Sequence, residues 1–219
     1  MTRIGNNIKE LYKELSDQTQ LIVVSKYREI DEIKEVYNVG HRVFAENRVQ
    51  ALLERYSKLP EDIQWHLIGH LQTNKVKYIA PFISMIQSVD SIKLLLEIEK
   101  QACKNNRKIP VLIQLHVAQE ESKFGIPISK IPLFFEELMS NETPHILYSG
   151  LMAMASNTEN SSQIESEFNL VKSQFQKIKD QYFENHPEFK EISMGMSGDF
   201  KTAIKCGSTM IRVGSKVFK

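Results

Sequence analysis

The sequence predicts an α/β fold, a closed (β/α)8 TIM barrel with an extra helix at its N-terminus. Two observations predict it. Eight short apolar runs, rich in β-branched residues, alternate with stretches of helical spacing along the chain. Such alternation implies a parallel sheet. The second observation is length: a barrel of this kind usually takes ~250 residues and at least ~200, so 219 residues suffice for one domain over 1–219. An open doubly wound sheet shows the same alternation, and periodicity does not separate the two.

Taken in order, Ile4, Ile8, Leu11 and Leu15 keep helical spacing and give an amphipathic helix over 4–16. Leu21-Ile22-Val23-Val24-Ser25-Lys26 is the first strand, apolar on both faces and running into a lone lysine. Ile30, Ile33, Val36 and Tyr37 mark a helix that ends near Gly40. Residues 42–46 form the second strand, followed by Asn47 and a helix through Tyr56, and 64–69 form the third strand. A helix over 75–79 is stopped by Pro81. Residues 85–89 are the fourth strand, with Asp90 at its end, and 91–103 a helix. The fifth strand covers 109–117, with a helix over 130–139 after it. The sixth strand, 146–154, holds Gly150; the polar stretch 156–162 reads as a loop. Phe168, Val171, Phe175 and Ile178 mark a long helix to about Phe183. Residues 191–197 are the seventh strand. Ser197 can cap a short helix over 199–206 that Gly207 closes, and 209–215 form the eighth strand.

Composition excludes several functions. A net charge of +1 and no basic block leave no electrostatic footprint for nucleic acid. Two cysteines make no disulfide framework and fit a reducing compartment. Neither an apolar leader nor an 18-residue apolar span is visible. The expectation is a soluble, cytoplasmic protein without membrane contact.

In a barrel the site lies at the C-terminal ends of the strands. The distinctive polar residues fall there: Lys26, Glu46 with Asn47, His66 to Gly69, Asp90, Ser193 to Ser197, and Arg212 to Ser215. Alternation puts Lys26 on the face of Ile22 and Val24, Ser193 with Gly195 and Ser197, and Arg212 with Gly214. A lysine has a free pKa near ~10.4, which desolvation lowers, making the amine usable for Schiff-base chemistry. It can also simply snorkel to solvent. The ends of the last two strands are where barrels commonly hold phosphate on loop N–H groups. Ser197-Gly198 and Gly214-Ser215 offer such loops, and Arg212 supplies a permanent charge, unless it pairs with a carboxylate. His66 and His70, four apart across a strand end, read as polar packing and not as metal ligands. Glu120, Glu121 and Lys123 read as a solvated charge cluster. Met152, Met154, Met194 and Met196 read as core filler, Met152 being the one to watch because Gly150 beside it permits close approach.

Several blocks carry a family resemblance. Val24-Ser25-Lys26, Phe44-Ala45-Glu46-Asn47 with Gln50, and 65–72 (WHLIGHLQ) with Asn74-Lys75 resemble the pyridoxal phosphate homeostasis proteins, the YggS/PROSC family. So do Ser122-Lys123-Phe124-Gly125, 150–154 (GLMAM), 193–197 (SMGMS), and Gly207-Ser208-Thr209 with 211–215 (IRVGS). They span nearly the whole chain in the family's order. That family resembles the N-terminal barrel of alanine racemase, fold type III among enzymes using pyridoxal 5′-phosphate (PLP).

The resemblance implies roles. Lys26 matches the lysine that holds PLP as an internal aldimine. Ser197, Gly214 and Ser215 match phosphate contacts, and Arg212 an arginine near the phosphate or the pyridine nitrogen. Asn47 and Met152 match residues lining the ring pocket, and Ser193 lies on the same wall. The chain departs from the family pattern at Lys216 and at Val217-Phe218-Lys219, outside the phosphate cup. A PLP carrier and buffer supplying apo-enzymes is the expected function, with PLP as cofactor, apo PLP-dependent enzymes as partners, and a monomer as the acting unit. It is not expected to be an enzyme, since the racemase's added β-domain and second base have no counterpart here. A weak PLP-dependent amino-acid racemase is the alternative. An aldolase-like barrel without cofactor would be colourless, and the resemblance speaks against it.

Overall fold

Eight parallel strands close into a ring around a packed interior. The computed structural model describes residues 2–16, 18–120 and 124–219; Glu121, Ser122 and Lys123 of the expected charge cluster and glycine motif lie outside the described residues. The strands are β1 (Gln20–Val24), β2 (Val43–Glu46), β3 (Gln64–Leu67), β4 (Met85–Val89), β5 (Ile109–His116), β6 (Ile126–Pro127), β7 (Ile146–Ala153), β8 (Glu191–Ser193) and β9 (Met210–Val213). Their order is β4-β3-β2-β1-β9-β8-β7-β5, and β4 pairs with β5 to shut the barrel. The two-residue β6, which no periodicity marks, extends the β5 edge through Leu115 and Ile126.

The helices are α1 (Arg3–Lys13), α2 (Ile30–Asn38), α3 (Val49–Tyr56), α4 (Val76–Ile79), α5 (Ile92–Lys104), α6 (Ile131–Met139), α7 (Ser161–Tyr182), α8 (Phe200–Lys205) and α9 (Ser215–Phe218). In α1 the expected stripe Ile4, Ile8 and Leu11 is buried, and the Thr2 hydroxyl caps the helix by accepting from Gly5 N. The α9 turn, not foreseen in the sequence, is tied to α1: Asn7 Nδ2 donates to Val217 O and Lys219 O.

Alternation sorts the strand residues into two cores. Outward residues such as Val23, Phe44, Trp65, Ile86, Val111 and Ile211 pack under the helices. Inward residues Ile22, Ala45, Met85, Leu112, Met152 and Met210 form a separate apolar plug, one side chain from each of six strands, as layered barrel interiors do. Each buried aliphatic side chain contributes about 1.5–3 kcal/mol, so the plug is a solid floor and the barrel has no channel.

Two local expectations are corrected. β8 ends at Ser193, four residues earlier than its apolar pattern suggests. Gly195 takes φ +93°, which only glycine adopts freely, and a side chain there would press on Ala203 and Phe200. The alternation Ser193-Gly195-Ser197 is therefore broken. Gly150 does permit close approach, but to backbone: it has φ +146°, and a Cβ would overlap the Glu191 carbonyl of the neighbouring strand. Among the described residues no helix is long and apolar enough to cross a membrane.

Candidate functional site

A cavity of about 520 Å³ opens at the C-terminal mouth of the barrel, within the usual range for small-molecule sites. Six of the eight residues expected at the site line it: Lys26, Asn47, Ser197, Arg212, Gly214 and Ser215. The lysine of the first strand and the loops after the last two thus share one cavity.

Lys26 follows the end of β1 on a tight turn in which Arg28 N donates to Ser25 O at 3.1 Å. Tyr27, at the third position of that turn, has φ +64°, a conformation that favours glycine and costs a tyrosine on the order of 1–2 kcal/mol. The surroundings hold it there. Ser25 is fully buried, and its hydroxyl donates to Glu46 Oε1 at 2.7 Å. Arg55 Nη2 donates to Arg28 O at 2.8 Å, and its Nε lies 2.8 Å from Glu46 Oε1, held more by charge than by a well-aimed N–H. Burial pushes the Glu46 carboxyl above its ordinary pKa, against the opposing pull of Ser25, Arg55 and Lys26. Lys26 itself is exposed, which is the snorkelling alternative. Glu46 was visible at a strand end, but the bracing by Ser25 and Arg55 was missed. Arg55 lies on α3 with nothing in its spacing to pair it with Glu46.

Arg212 is the second pole. It is 3% exposed; among the described residues it has no carboxylate within 4 Å, so the alternative of an ordinary ion pair does not hold. A chain of neutral partners positions it. Arg212 Nη1 donates to Ser193 Oγ at 2.6 Å, and Nη2 to Ala153 O at 2.8 Å. Ser193 Oγ donates to Gln87 Oε1 at 2.7 Å, and Gln87 Nε2 lies 3.0 Å from His66 Nδ1. The last contact requires a neutral His66 accepting at Nδ1, in accord with burial pushing its pKa down to about 4. Burial also brings the Arg212 pKa down to about 10, leaving it a cation at neutral pH.

The loops after β8 and β9 complete the cavity wall beside Arg212. Gly214 N lies 3.4 Å from Ser197 Oγ, and a Cβ on Gly214 would come within 2.9 Å of Val24 O. Gly198 has open space where a side chain would stand. Ser215 begins α9, whose first N–H groups have no helical acceptors. Ser197 is not the expected cap of α8: Asp199 occupies that position and accepts from Met196 N, which frees Ser197 for the cavity wall.

Met152 and Ser193 do not line the cavity. Met152 pairs in register with Ser193, and Ser193 with Met210, so both lie at the level of the apolar plug. Ser193 acts from there by holding Arg212. Met154, two residues further along, lines the wall instead, as do His70 and Phe124. The His70 and Phe124 rings stack at 4.0 Å, and His70 Nδ1 lies 3.2 Å from Asp90 Oδ2.

The buried histidines give a pH expectation. His41 is likewise pushed down to about 4, with burial the main cause. A depressed histidine binds fewer protons folded than unfolded, so stability is full above about pH 6.5 and falls as pH drops towards 4. At full effect each contributes on the order of 3 kcal/mol, offset in part by Glu46, whose raised pKa works in the opposite sense. Urea midpoints should fall steadily from pH 7 to pH 5; a flat profile would sink this assignment.

Fold and site together define a (β/α)8 barrel with a lysine and a buried arginine at one cavity in its mouth. The alanine racemase N-terminal domain family matches residues 1–219. A pyridoxal phosphate homeostasis protein of Aquifex aeolicus (strain VF5) is 38% identical over 200 residues, covering 91% of this chain and 86% of that one. PipY of Synechococcus elongatus PCC7942, solved with PLP bound, is 29% identical, with a TM-score of 0.89 over 99% of this chain and 100% of that one. An alanine racemase of Clostridium difficile 630 shares the fold at a TM-score of 0.74 and 12% identity over 98% of this chain and 55% of its own. The chain belongs to the alanine racemase N-terminal domain family and, within it, to the pyridoxal phosphate homeostasis proteins.

Proposed function

We propose that this chain binds PLP covalently through Lys26 and acts in PLP homeostasis, as a carrier and buffer that supplies apo-enzymes. One observation carries the reading: an accessible primary amine and a buried guanidinium, which has no carboxylate within 4 Å among the described residues, line the same cavity. The residues present fit the group. Arg212, Ser197, Gly214 and Ser215 would hold the phosphate, Asn47 borders the ring space, and Ser193 fixes the arginine from below. When bound, PLP supplies an aldehyde that bonds reversibly to a primary amine. The rest is the chain's own work: Ser25, Glu46 and Arg55 set the turn that presents Lys26, and the network from His66 to Arg212 orients the cation. The protein acts as a single domain over 1–219 and as a monomer, in the cytoplasm.

The homologues' names and the PLP-bound relative support this reading. The second reading, a weak amino-acid racemase, has one observation in its favour: His70, paired with Asp90, is a second titratable group in the wall. The deciding experiment is borohydride reduction of the PLP-treated protein, followed by peptide mass spectrometry. A pyridoxyl adduct confined to the peptide holding Lys26 is expected. An adduct on other lysines only, or none, overturns the proposal.

A further inference from the structure

The two motif blocks 44–50 (FAENRVQ) and 65–75 (WHLIGHLQTNK) are only partly used by the PLP cavity. Their remaining residues meet elsewhere. A second cavity of about 500 Å³ adjoins the first, and Asn47 and His70 belong to both. Its other polar walls are Arg48, Gln50, Gln72 and Lys75, with Tyr78 at the side. Among the described residues no carboxylate lines it. Among the described residues the Arg48 and Lys75 side chains make no ion pair, although most exposed cations that do so here have a partner on the same helix. Lys75 Nζ meets, among the described residues, the Tyr78 ring at 5.7 Å and no carboxylate. The side chains of Asn47, Gln50 and Gln72 likewise make no hydrogen bond among the described residues. The cavity therefore gathers two unspent cations and several amide donors around a space that an aromatic ring borders.

We infer that this second cavity binds a small phosphate monoester non-covalently, beside the occupied PLP site. Two cations match the charge of about −1.5 to −2 that such a group carries at neutral pH. Guanidinium and amide donors suit its oxygens, and Tyr78 with Leu53 gives an attached ring a face to lie on. The cavity has room for a ligand of PLP's size, and that part of the inference rests on the reading of the first cavity. A site of this kind would keep a phosphorylated ligand at the mouth while Lys26 is engaged.

Pyridoxine 5′-phosphate is the probe, because it has the phosphate and ring but no aldehyde. The protein is first locked with PLP and borohydride, the adduct is verified by mass, and the locked protein is titrated by amide NMR. Saturable shifts are expected at 49–51 and 75–78, with affinity at least tenfold weaker for unphosphorylated pyridoxine. Arg48→Ala combined with Lys75→Ala should weaken binding at least tenfold; both side chains are exposed, so the remaining amide spectrum should stay unchanged. Absence of shifts in the locked protein, or equal affinity in the double variant, overturns the inference. If no adduct forms, the Lys26 reading fails alone, and the same amides are read in the unlocked chain with the same two outcomes.

Discussion

Lys26→Ala should eliminate the borohydride-trapped adduct while leaving the fold intact. The side chain is exposed on a turn whose bracing comes from Ser25, Glu46 and Arg55, and exposed substitutions of this kind usually change stability by no more than about 0.5 kcal/mol. The residues assigned to the phosphate persist, so PLP still binds, reversibly and at least about tenfold more weakly, a loss of about 1.4 kcal/mol. Pyridoxine 5′-phosphate, which cannot bond to the amine, should bind the native protein and the variant alike. This comparison separates a lost covalent bond from a damaged pocket. Adduct on the alanine variant at native yield would show that another lysine carries the group.

Arg212→Met should divide binding from stability. The arginine is a buried cation with no carboxylate within 4 Å among the described residues, and burial, opposed by the charge of Asp199, brings its pKa down to about 10, which marks a cost on the order of 3 kcal/mol for keeping it charged. Methionine of similar volume removes that cost and forfeits the bonds to Ser193 and Ala153. Those are worth roughly 1.5–3 kcal/mol each when charge-assisted, so the losses match or exceed the gain and folding stability should fall by about 0–3 kcal/mol. PLP affinity should fall about ten- to hundredfold, the loss expected for one or two charged contacts to phosphate. Thermal unfolding of the ligand-free protein and PLP titration measure the two effects. Unchanged affinity would remove Arg212 from the phosphate site, and a loss of stability beyond that range would make it chiefly a structural brace.

How far could the site be read without coordinates? Lys26 was legible because a lone cation ends an all-apolar strand. Arg212 was legible because alternation holds through β9, whereas Gly214 lies just past the strand, at the cap of α9. Ser197 reached the cavity for a reason the pattern did not contain: β8 stops at Ser193, and Gly195 bends the chain before Ser197 arrives. Met152, which the resemblance assigns to the ring pocket, lies in the apolar plug below the cavity. The polar relay was invisible, since Gln87 and Ser193 lie 106 positions apart and each alone looks like an ordinary strand residue.

By itself the sequence determined the βα alternation, the inward or outward face of most strand residues, and the chemical character of the strand ends. Those properties are local, set by side-chain period and backbone preference within a few residues. Tertiary structure alone decided the closure through β4 and β5, the floor or mouth position of each inward residue, and the neutral partners of Arg212. Alternation gives a side chain its face, but its height in a barrel depends on the stagger between neighbouring strands, and that register exists only once the ring has closed.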